Sequence, residues 1–360
     1  MTPLVSVCIV HYGSNEYLRK CIESITKSSA AASDMEIIII DNNEQGDARP
    51  AVHEMPFGDS QKTYIQNRKN VGFAEGCNQG IRAAEGRYVF ILNNDIEIDR
   101  DCIRYLTEFA EAHPDVAVLQ PKMLDHAERD VFHSSAAGGF IDMLGYPFAR
   151  GRIFDIVEKD NGQYDDIVEI FWASGAALFA RKDILEISGL FDPDFFLYME
   201  EIDLQWRIQL LGQKIVYIPE AKIYHIGCPH LGRKNFSRMY YTHRNSMLMM
   251  MKNLSLPNLI FLFPVRLAFE AATAVCSFMA LRVNRGLAIL KSFAYILRHL
   301  RGIAAKRRQV QSLRKVSDSA VFANACHGSI VVRHFFRQTK RVTDMKDFRV
   351  KQYRPGRGET

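Results

Sequence analysis

The stretch Gly86-Arg-Tyr-Val-Phe-Ile-Leu-Asn-Asn-Asp-Ile-Glu-Ile-Asp99 decides how this sequence is interpreted. Residues 88–92 are a short apolar run of β-branched and aromatic side chains, which predicts a buried strand. The run stops at Asn93, Asn94 and Asp95, and unpaired polar groups are costly at the end of a buried strand. At the carboxyl edge of a parallel α/β sheet such groups often meet a ligand, with a hard cation between carboxylate and phosphate oxygens. A turn rich in Asn and Asp is the simpler alternative.

Strand and helix patterns alternate on both sides of this stretch. Residues 36–40 contain four consecutive isoleucines, which is typical of a parallel strand buried on both faces. We expect Pro121 and Pro219 to end the strands that precede them, and residues 125–166 to be irregular excursions over the active face. The pattern predicts a doubly wound α/β layer with strands at 5–10, 36–40, 63–65, 88–92, 116–119, 176–180 and 214–218, and helices at 17–25 and 102–112.

Polar residues follow three of the predicted strands. Carboxyl ends of strands in an open α/β sheet meet at one crevice, which here would collect Asp41-Asn42, Asn70 and Asn93-Asn94-Asp95. Asp41 could accept a hydrogen bond from a base N–H, and Asn70 and Asn78 could fix sugar hydroxyls. Gly72 would let the backbone approach a ribose or phosphate, although a merely flexible loop would show the same glycine pattern.

A group of carboxylates lies at the start of a further predicted helix, which carries Leu204, Ile208 and Leu211. Acidic residues suit the first turn of a helix, and Asp203 is spaced to pair with Arg207, which explains Asp203 structurally. That explanation does not cover Glu200 and Glu201, which are adjacent and follow an aromatic loop. A carboxylate that faces a partly apolar pocket has a raised pKa and suits a general base.

Residues 221–224 continue as a further strand pattern that ends at His225, just before the Gly-rich basic loop 227–234. A lone histidine is more often structural than a ligand. Its position beside the loop makes a metal or diphosphate role an equal alternative. We expect His230, Arg233 and Lys234 of the loop to close over a diphosphate as a lid.

The charge of the chain is distributed unevenly. Residues 256–360 carry 20 Lys and Arg against 5 Asp and Glu, a net charge of +15, whereas residues 1–255 carry 26 against 36, a net charge of −10. An acidic globular part is thus followed by a basic extension that favours an anionic partner. We see no nucleic-acid recognition module, so we expect a membrane rather than nucleic acid. The seven dispersed cysteines and the lack of a recognisable signal peptide predict reduced thiols in a cytoplasmic protein.

Residues 254–300 are apolar but interrupted by charges such as Arg266 and Glu270. We therefore expect no segment with the roughly 18–20 uncharged residues of a spanning helix. The spacing favours amphipathic helices at a membrane interface, with anionic headgroups near the basic residues beyond Arg301. A helical subdomain packed on the catalytic part or on a second subunit is the alternative.

Many short motifs, in order and at matching spacing, give the chain a resemblance over about residues 4–255. It resembles a bacterial family 2 glycosyltransferase with the GT-A fold, of the rhamnosyltransferase-like group that builds surface polysaccharides. The motifs are Val5-Ser-Val-Cys-Ile-Val-His-Tyr12, Asp41-Asn42, Asn70-Val-Gly-Phe-Ala-Glu-Gly-Cys-Asn78, Leu92-Asn-Asn-Asp95, Gly175-Ala176, Gly189-Leu-Phe-Asp-Pro-Asp-Phe-Phe196, Glu200-Glu-Ile-Asp-Leu204, His225 and Tyr241-Thr-His-Arg-Asn245.

The resemblance implies a role for each matching position. Nucleotide-sugar binding falls to Val10, His11, Tyr12, Asp41, Asn42, Asn70, Gly72, Phe73, Asn78, Asn93 and Asn94. A divalent cation, manganese or magnesium, would be held by Asp95, His225 and Asn93. Acceptor contacts fall to Trp172, Gly175 and Ala176, and diphosphate contacts to His230, Arg233, Lys234 and Arg244. Glu201 would be the general base, with Glu200 and Asp203 as alternatives.

The chain departs from the family pattern at two of these positions. Asn93 stands where the family can have a carboxylate, and Glu201 stands where it usually has an aspartate.

The predicted function is inverting sugar transfer from a UDP- or dTDP-sugar to a saccharide hydroxyl, on an acceptor that is lipid-linked or polymeric. The expected organisation is a catalytic domain at 1–250, with a nucleotide half to about 115 and an acceptor half to 250. A helical basic extension at 251–340 and a flexible tail at 341–360 follow. We expect a cytoplasmic protein peripheral to the inner face of the membrane, and the sequence leaves homo-oligomers open. A sugar-phosphate nucleotidyltransferase and a non-catalytic binding partner are the alternatives.

Overall fold

The computed structural model describes residues 2–44, 48–54, 61–133, 135–227 and 235–355. The strands within these ranges are β1 (Val5–His11), β2 (Met35–Asp41), β3 (Lys62–Gln66), β4 (Tyr88–Asn93), β5 (Ile96–Ile98), β6 (Val116–Asp125), β7 (Gly139–Ile141), β8 (Pro147–Ala149), β9 (Arg152–Ile153), β10 (Ile156–Val157), β11 (Val168–Glu169), β12 (Ala177–Arg181) and β13 (Lys214–His225). The helices are α1 (Asn15–Thr26), α2 (Arg49–His53), α3 (Phe73–Ala83), α4 (Cys102–Ala112), α5 (Lys182–Ile187), α6 (Glu200–Leu210), α7 (Phe236–Asn253), α8 (Leu256–Met279), α9 (Val283–Leu313), α10 (Asp318–Val321) and α11 (Ile330–Arg337).

The central sheet has the order β11-β13-β6-β12-β4-β1-β2-β3, and β5 pairs with β13. Strands β3, β2, β1 and β4 are parallel, and so are β6 and β13, while β12 runs antiparallel between β4 and β6. The predicted α/β fold with a mostly parallel sheet and a C-terminal helical region is thus confirmed. Ile38 and Ile40 pack with α3 on one face, and Ile37 and Ile39 pack with α1 on the other, as the run of isoleucines predicted.

Two predicted strand ends are wrong. Strand β6 continues beyond Pro121 to Asp125, and β13 continues beyond Pro219 to His225. The register between these strands shifts after the pair Ile218–Pro121 and resumes at Lys222–Lys122, so Pro219 lies in the irregular segment. A proline is tolerated there because its missing N–H takes no ladder bond from a regular pair.

The segment 125–166 contains more regular structure than the sequence suggested. Strands β7 to β10 form a four-stranded antiparallel sheet in chain order. Phe140 and Phe148 of this sheet are buried and stack at 5.9 Å between ring centroids. The strands were missed because they are only two or three residues long, too short to show a period.

The C-terminal helices pack on the catalytic part, and α7 lies along α9. Among the described residues, one helix, α8, is long and apolar enough to cross a membrane, judged by length and composition alone. Arg266 and Glu270 lie within α8, so this helix still contains no run of about 18–20 uncharged residues, as the sequence indicated. The predicted tail, described as far as residue 355, also packs on the protein, since the Tyr353 hydroxyl donates to Asp115 at 2.9 Å.

Candidate active site

Three parallel strands end level with one another at one edge of the sheet. Val10 of β1 is aligned with Asn93 of β4, and His11 is aligned with Asp41 of β2. The register therefore brings together the polar strand ends that the sequence singled out. Asn94 reaches across β1, with its Nδ2 at 3.4 Å from the carbonyl oxygen of Tyr12.

Asp41 is fully buried at the end of β2. Its carboxylate accepts from the backbone N–H groups of Asn43 at 2.9 Å and Ala48 at 3.2 Å, and from the Tyr64 hydroxyl at 2.8 Å. These bonds fix the carboxylate and the loop that follows it. Contact with a nucleotide base remains a prediction.

His11 and Tyr12 follow each other at the end of β1 but differ in environment. His11 is buried, its Nε2 lies 2.9 Å from Oδ1 of Asn15, and burial lowers the pKa of its imidazole. Tyr12 is exposed at the rim. The end of β1 therefore carries one buried side chain, the imidazole of His11, and one exposed side chain, the phenol of Tyr12.

Gly72 is held between Asn42 and Asn70 on one side and the loop before α6 on the other. Its N–H donates to Oδ1 of Asn70 at 2.9 Å, and its carbonyl accepts from Nδ2 of Asn42 at 3.2 Å. Its φ is +84°, and a Cβ there would lie 2.6 Å from the Phe196 ring. The neighbouring Phe73 N–H donates to the Phe196 carbonyl at 2.8 Å. Position 72 requires glycine because Phe196 packs directly against it. The sequence analysis had instead ascribed this glycine to the close approach of a ligand.

Two side chains predicted to contact ligands bind the backbone instead. Asn78 is buried, and its amide exchanges two hydrogen bonds of 2.9 Å with the backbone of Phe191. The indole N–H of Trp172 donates to the carbonyl of Phe140 at 2.9 Å. Both side chains are thereby structural in this arrangement, because their polar groups are already satisfied inside the protein.

Asp95 and His225 meet although 130 residues separate them in the chain. Strand β13 pairs with β5, which follows Asp95 directly. Oδ1 of Asp95 lies 3.3 Å from Nε2 of His225, and the ring of His133 lies 4.5 Å from the His225 ring. Burial alone would raise the pKa of Asp95, but the two histidines lower it; burial lowers the pKa of His133 to about 4. In the described part of the chain, no group of three or more Asp, Glu, His or Cys side chains is arranged to hold a metal ion.

The loop before β12 contacts both the end of β4 and the start of α6. The Asn93 N–H donates to the Ala176 carbonyl at 3.0 Å. A Cβ on Gly175 would lie 2.9 Å from the Phe73 ring and 3.5 Å from Cβ of Glu201. Glycine at position 175 therefore allows the Phe73 ring to pack closely beside Glu201.

Glu200 and Glu201 begin α6 directly after a loop with unusual backbone geometry. Phe196, Tyr198 and Met199 all have φ between +63° and +69°. The Oε2 atoms of both glutamates are buried without a hydrogen-bond partner in the described structure. Burial, together with the charge of Glu201, raises the pKa of Glu200 well above its usual range, and burial raises the pKa of Glu201 to about 7.

Asp203 is placed in a buried cluster of charges. Its carboxylate accepts from Nε of Arg207 at 3.1 Å, Nζ of Lys252 at 2.9 Å and Nδ2 of Asn253 at 2.9 Å. The pairing with Arg207 suggested by the spacing is thus present. This arrangement supports the structural explanation of Asp203 and leaves no free oxygen for an acceptor proton.

Arg244 and Asn245 of α7 bind the loop that precedes Glu200. Nη2 of Arg244 donates to the Phe195 carbonyl at 3.0 Å, and its Nε donates to Oδ1 of Asn245 at 2.8 Å. Arg244 is buried and lies over the ring of Tyr241 at 4.9 Å. The predicted diphosphate role of Arg244 does not fit this burial. The predicted lid residues His230, Arg233 and Lys234 lie outside the described residues.

Two side chains of the site were missed by sequence reasoning. Asn245 belongs to the motif Tyr241-Thr-His-Arg-Asn245, which was part of the resemblance but carried no role. The role of Asn245 becomes visible only in the structure, where its side chain contacts the loop that precedes Glu200. His133 lies in a stretch without period, so no pattern in the sequence pointed to it.

Comparison with known proteins identifies the class. Residues 6–182 match the family described as "Glycosyl transferase family 2". They form a domain of this family, and the chain is a glycosyltransferase. The alternatives of a nucleotidyltransferase and a non-catalytic partner are thereby disfavoured.

Two relatives extend the match beyond that domain. The N-acetylglucosaminyl-diphospho-decaprenol L-rhamnosyltransferase of Mycobacterium tuberculosis is 24% identical over 264 residues, which cover 68% of this chain and 83% of the relative. Rhamnosyltransferase WbbL of Escherichia coli is 24% identical over 248 residues, 68% of this chain and 90% of the relative. Among solved structures, GalNAc-T7 with UDP, GalNAc and Mn²⁺ matches with a TM-score of 0.60 and 14% identity, covering 82% of this chain and 57% of that one. This likeness establishes the GT-A-like fold alone.

Proposed function

We propose that the protein transfers a hexosyl or rhamnosyl residue, with inversion, from a UDP- or dTDP-sugar to a hydroxyl of a saccharide acceptor in surface polysaccharide biosynthesis. The observation that carries this proposal is the pair Glu200–Glu201 at the start of α6, where one carboxyl oxygen of each side chain is buried without a hydrogen-bond partner among the described residues. The names of the relatives support rhamnosyl or another hexosyl as the transferred group.

Glu201 is the proposed general base. Its pKa of about 7 lets it be deprotonated at neutral pH while still basic enough to take a proton from a hydroxyl. The acceptor oxygen forms a bond to the anomeric carbon as its proton passes to Glu201, and the bond to the diphosphate oxygen breaks. Glu200, with the higher pKa, stays protonated and adds no second negative charge beside the base.

Asp95 and His225 are the proposed cation ligands. Two donors that share one cation at about 2.1 Å each lie about 3.0–3.4 Å apart for octahedral or tetrahedral angles. The Asp95–His225 separation of 3.3 Å falls in this range. The donor set of a carboxylate and an imidazole, with the neighbouring Asn93, suits manganese or magnesium with further ligands from the diphosphate. Bound there, a divalent cation would stabilise the charge that develops on the leaving nucleotide.

The acceptor proposed here is lipid-linked, and the protein acts at the inner face of the cytoplasmic membrane. The relative from M. tuberculosis carries a diphospho-decaprenol acceptor in its name. The basic extension of this chain gives a further reason to expect an anionic surface.

The test of the chemistry is a calorimetric titration of the purified protein with UDP and with dTDP, each with and without manganese. We expect one of them to bind only when manganese is present, and Asp95→Ala to abolish that dependence. Equal binding with and without manganese contradicts the cation site, and absence of binding to both nucleotides contradicts the donor assignment.

A further inference from the structure

Helix α8 buries two charged side chains and exposes only apolar ones, while Leu259, Leu262, Phe263 and Leu267 pack partly buried against the core. Arg266, Glu270, Ala274 and Ser277 face the protein. The opposite face is exposed and carries only apolar side chains: Leu256, Pro257, Ile260, Phe261, Pro264, Val265, Ala268, Ala271, Ala272, Val275, Cys276 and Met279. We call these twelve residues the outer stripe. At about 1.5 Å per residue, it is about 35 Å long.

The inward face of α8 is fixed to the rest of the protein by charged groups. Arg266 donates to Oε1 of Glu270 at 2.6 Å, to the Leu144 carbonyl at 2.6 Å and to Oγ of Ser246 at 2.7 Å. Oε2 of Glu270 lies 2.7 Å from Nδ1 of His243. These buried bonds hold the middle of α8 against α7 and the Leu144 loop, so α8 lies along the protein surface.

The segment that contains the outer stripe and the helix after it is rich in basic residues. Between residues 256 and 317 the sequence has eleven Lys and Arg and a single acidic residue, Glu270, which is buried. The α8–α9 turn adds Leu281, which is 86% exposed, and the exposed Arg282. On α9 exposed leucines alternate with Arg298 and Arg301. The surface thus combines hydrocarbon side chains with positive charge and carries no exposed carboxylate from its own segment.

We infer that the outer stripe lies in the plane of a membrane, in the boundary between headgroups and acyl chains of a bilayer that contains anionic lipid. Apolar burial and attraction to anionic headgroups act together on such a surface. A second copy of this chain fits less well, because the same basic segment would face itself. This inference rests on the membrane part of the proposed function and assigns it to one helix.

The test is flotation of the full chain with vesicles of phosphatidylethanolamine and phosphatidylglycerol. Phe261 and Val275 are exposed, so Phe261→Glu/Val275→Glu changes the stripe without touching the core. Phe336→Glu on α11 is the matched control, since Phe336 is 81% exposed and Phe261 is 73% exposed. We expect the double variant to lose vesicle binding at least tenfold, with an unchanged melting temperature, and the control to bind as the unmodified protein does.

The outcomes separate the two proposals. Binding by the double variant equal to that of the unmodified protein overturns the role of the outer stripe. Absence of binding by the unmodified protein contradicts the membrane part of the proposed function itself, without touching the chemistry. A dimer in light scattering that the double variant converts to a monomer, in the absence of vesicles, assigns the stripe to a second copy and overturns the inference. Equal binding to vesicles of phosphatidylcholine alone overturns the role of anionic lipid.

A separate observation concerns Asn245. Its Nδ2 lies 3.0 Å from the carbonyl oxygens of Phe195 and Leu197 and 2.7 Å from that of Tyr198. One buried amide thus gathers three carbonyls of the loop whose next residues are Met199 and Glu200. Left-handed backbone at non-glycine residues persists only where surrounding contacts hold it.

The geometry points to Asn245 as a positioning residue that sets the direction of Glu201 through this loop. On its other side the loop is tied to Phe73, on the nucleotide side of the site, by the Phe196 carbonyl. Asn245 therefore determines where the base stands relative to the donor, although it does not touch the substrate.

The test compares Asn245→Ala with Asn253→Ala. Both asparagines are fully buried on α7, but Asn253 donates to Asp203 and does not contact the loop. We expect both variants to melt at lower temperature. Only Asn245→Ala should lower kcat at least tenfold at unchanged donor KM and shift the midpoint of the kcat–pH profile. If the two variants share the kcat, the KM and the pH midpoint of the unmodified protein, Asn245 has a structural role only.

Discussion

The pH dependence of transfer follows from the burial of Glu201. A base acts when it is deprotonated, so kcat should rise with pH through the pKa of about 7 and level off above it. The raised pKa therefore places the rise in activity at a higher pH than an ordinary glutamate would give. Glu201→Gln removes the base and should lower kcat by about 10²–10⁴-fold at pH 8.

The same burial predicts an opposite effect on stability. The folded pKa of Glu201 is raised above its unfolded value of 4.5, so the unfolded chain releases its proton first and the free energy of unfolding falls as pH rises from about 4.5 to 7. The glutamine variant does not ionise. It should therefore be more stable than the unmodified protein at pH 8, by at most about 3 kcal/mol.

The assay is steady-state transfer between pH 5.5 and 8.5, with thermal unfolding of the same samples. Glu200→Gln is the matched control, because Glu200 is a neighbouring buried carboxyl whose pKa is raised far enough to stay protonated over this range. It should keep kcat within a few-fold, since glutamine is a neutral replacement for a neutral acid. The reasoning is refuted if Glu201→Gln retains activity, or if Glu200→Gln removes the pH dependence instead.

Three further predictions concern the surroundings of the base. Asp203→Asn leaves the cations of Arg207 and Lys252 without their buried carboxylate and should cost about 3–5 kcal/mol in urea unfolding; a loss below 1 kcal/mol would contradict the structural explanation. Gly72→Ala places a Cβ 2.6 Å from Phe196 at φ +84° and should cost about 1–3 kcal/mol, with a raised donor KM, in unfolding and kinetic assays. His225→Ala should weaken manganese binding in the presence of nucleotide at least tenfold by calorimetry, and unchanged binding would remove it from the ligand set.

The sequence predicted the parts of the fold that depend on long, regular patterns. The four isoleucines of β2 and the apolar run of β4 fixed the central strands because burial on both faces leaves a clear signature. Pro121 and Pro219 misled the prediction because a proline at a register shift costs no regular ladder bond, and a single strand does not reveal where its partner shifts.

The candidate site was predictable where a residue's role follows from its place at a strand end, and less so where it follows from a tertiary neighbour. Asp95 could be picked from the end of β4, but its distance to His225 depends on β13 pairing with β5. Asn78 has the same chemistry as Asn70, and only the fold shows that the backbone of Phe191 has taken its amide. Arg266 and Glu270 were interpreted only as charges that interrupt an apolar segment, because a sequence does not say that the two side chains turn toward each other and inward.

Strand β13 follows all other strands of the sheet in the sequence, and this order affects folding during synthesis. Strand β13 lies between β6 and β11 and also pairs with β5, so its place in the sheet stays vacant until residues 214–225 have been synthesised. The nascent chain up to residue 182, the end of the family match, already has strands β1 to β12 but lacks α6 and β13, which ends at His225. Contacts between residues so distant in sequence form slowly, and the uncovered edge of β6 is exposed meanwhile to pairing with other chains. Fragments that end before His225 should therefore aggregate during expression, whereas chains that extend through α9 should fold.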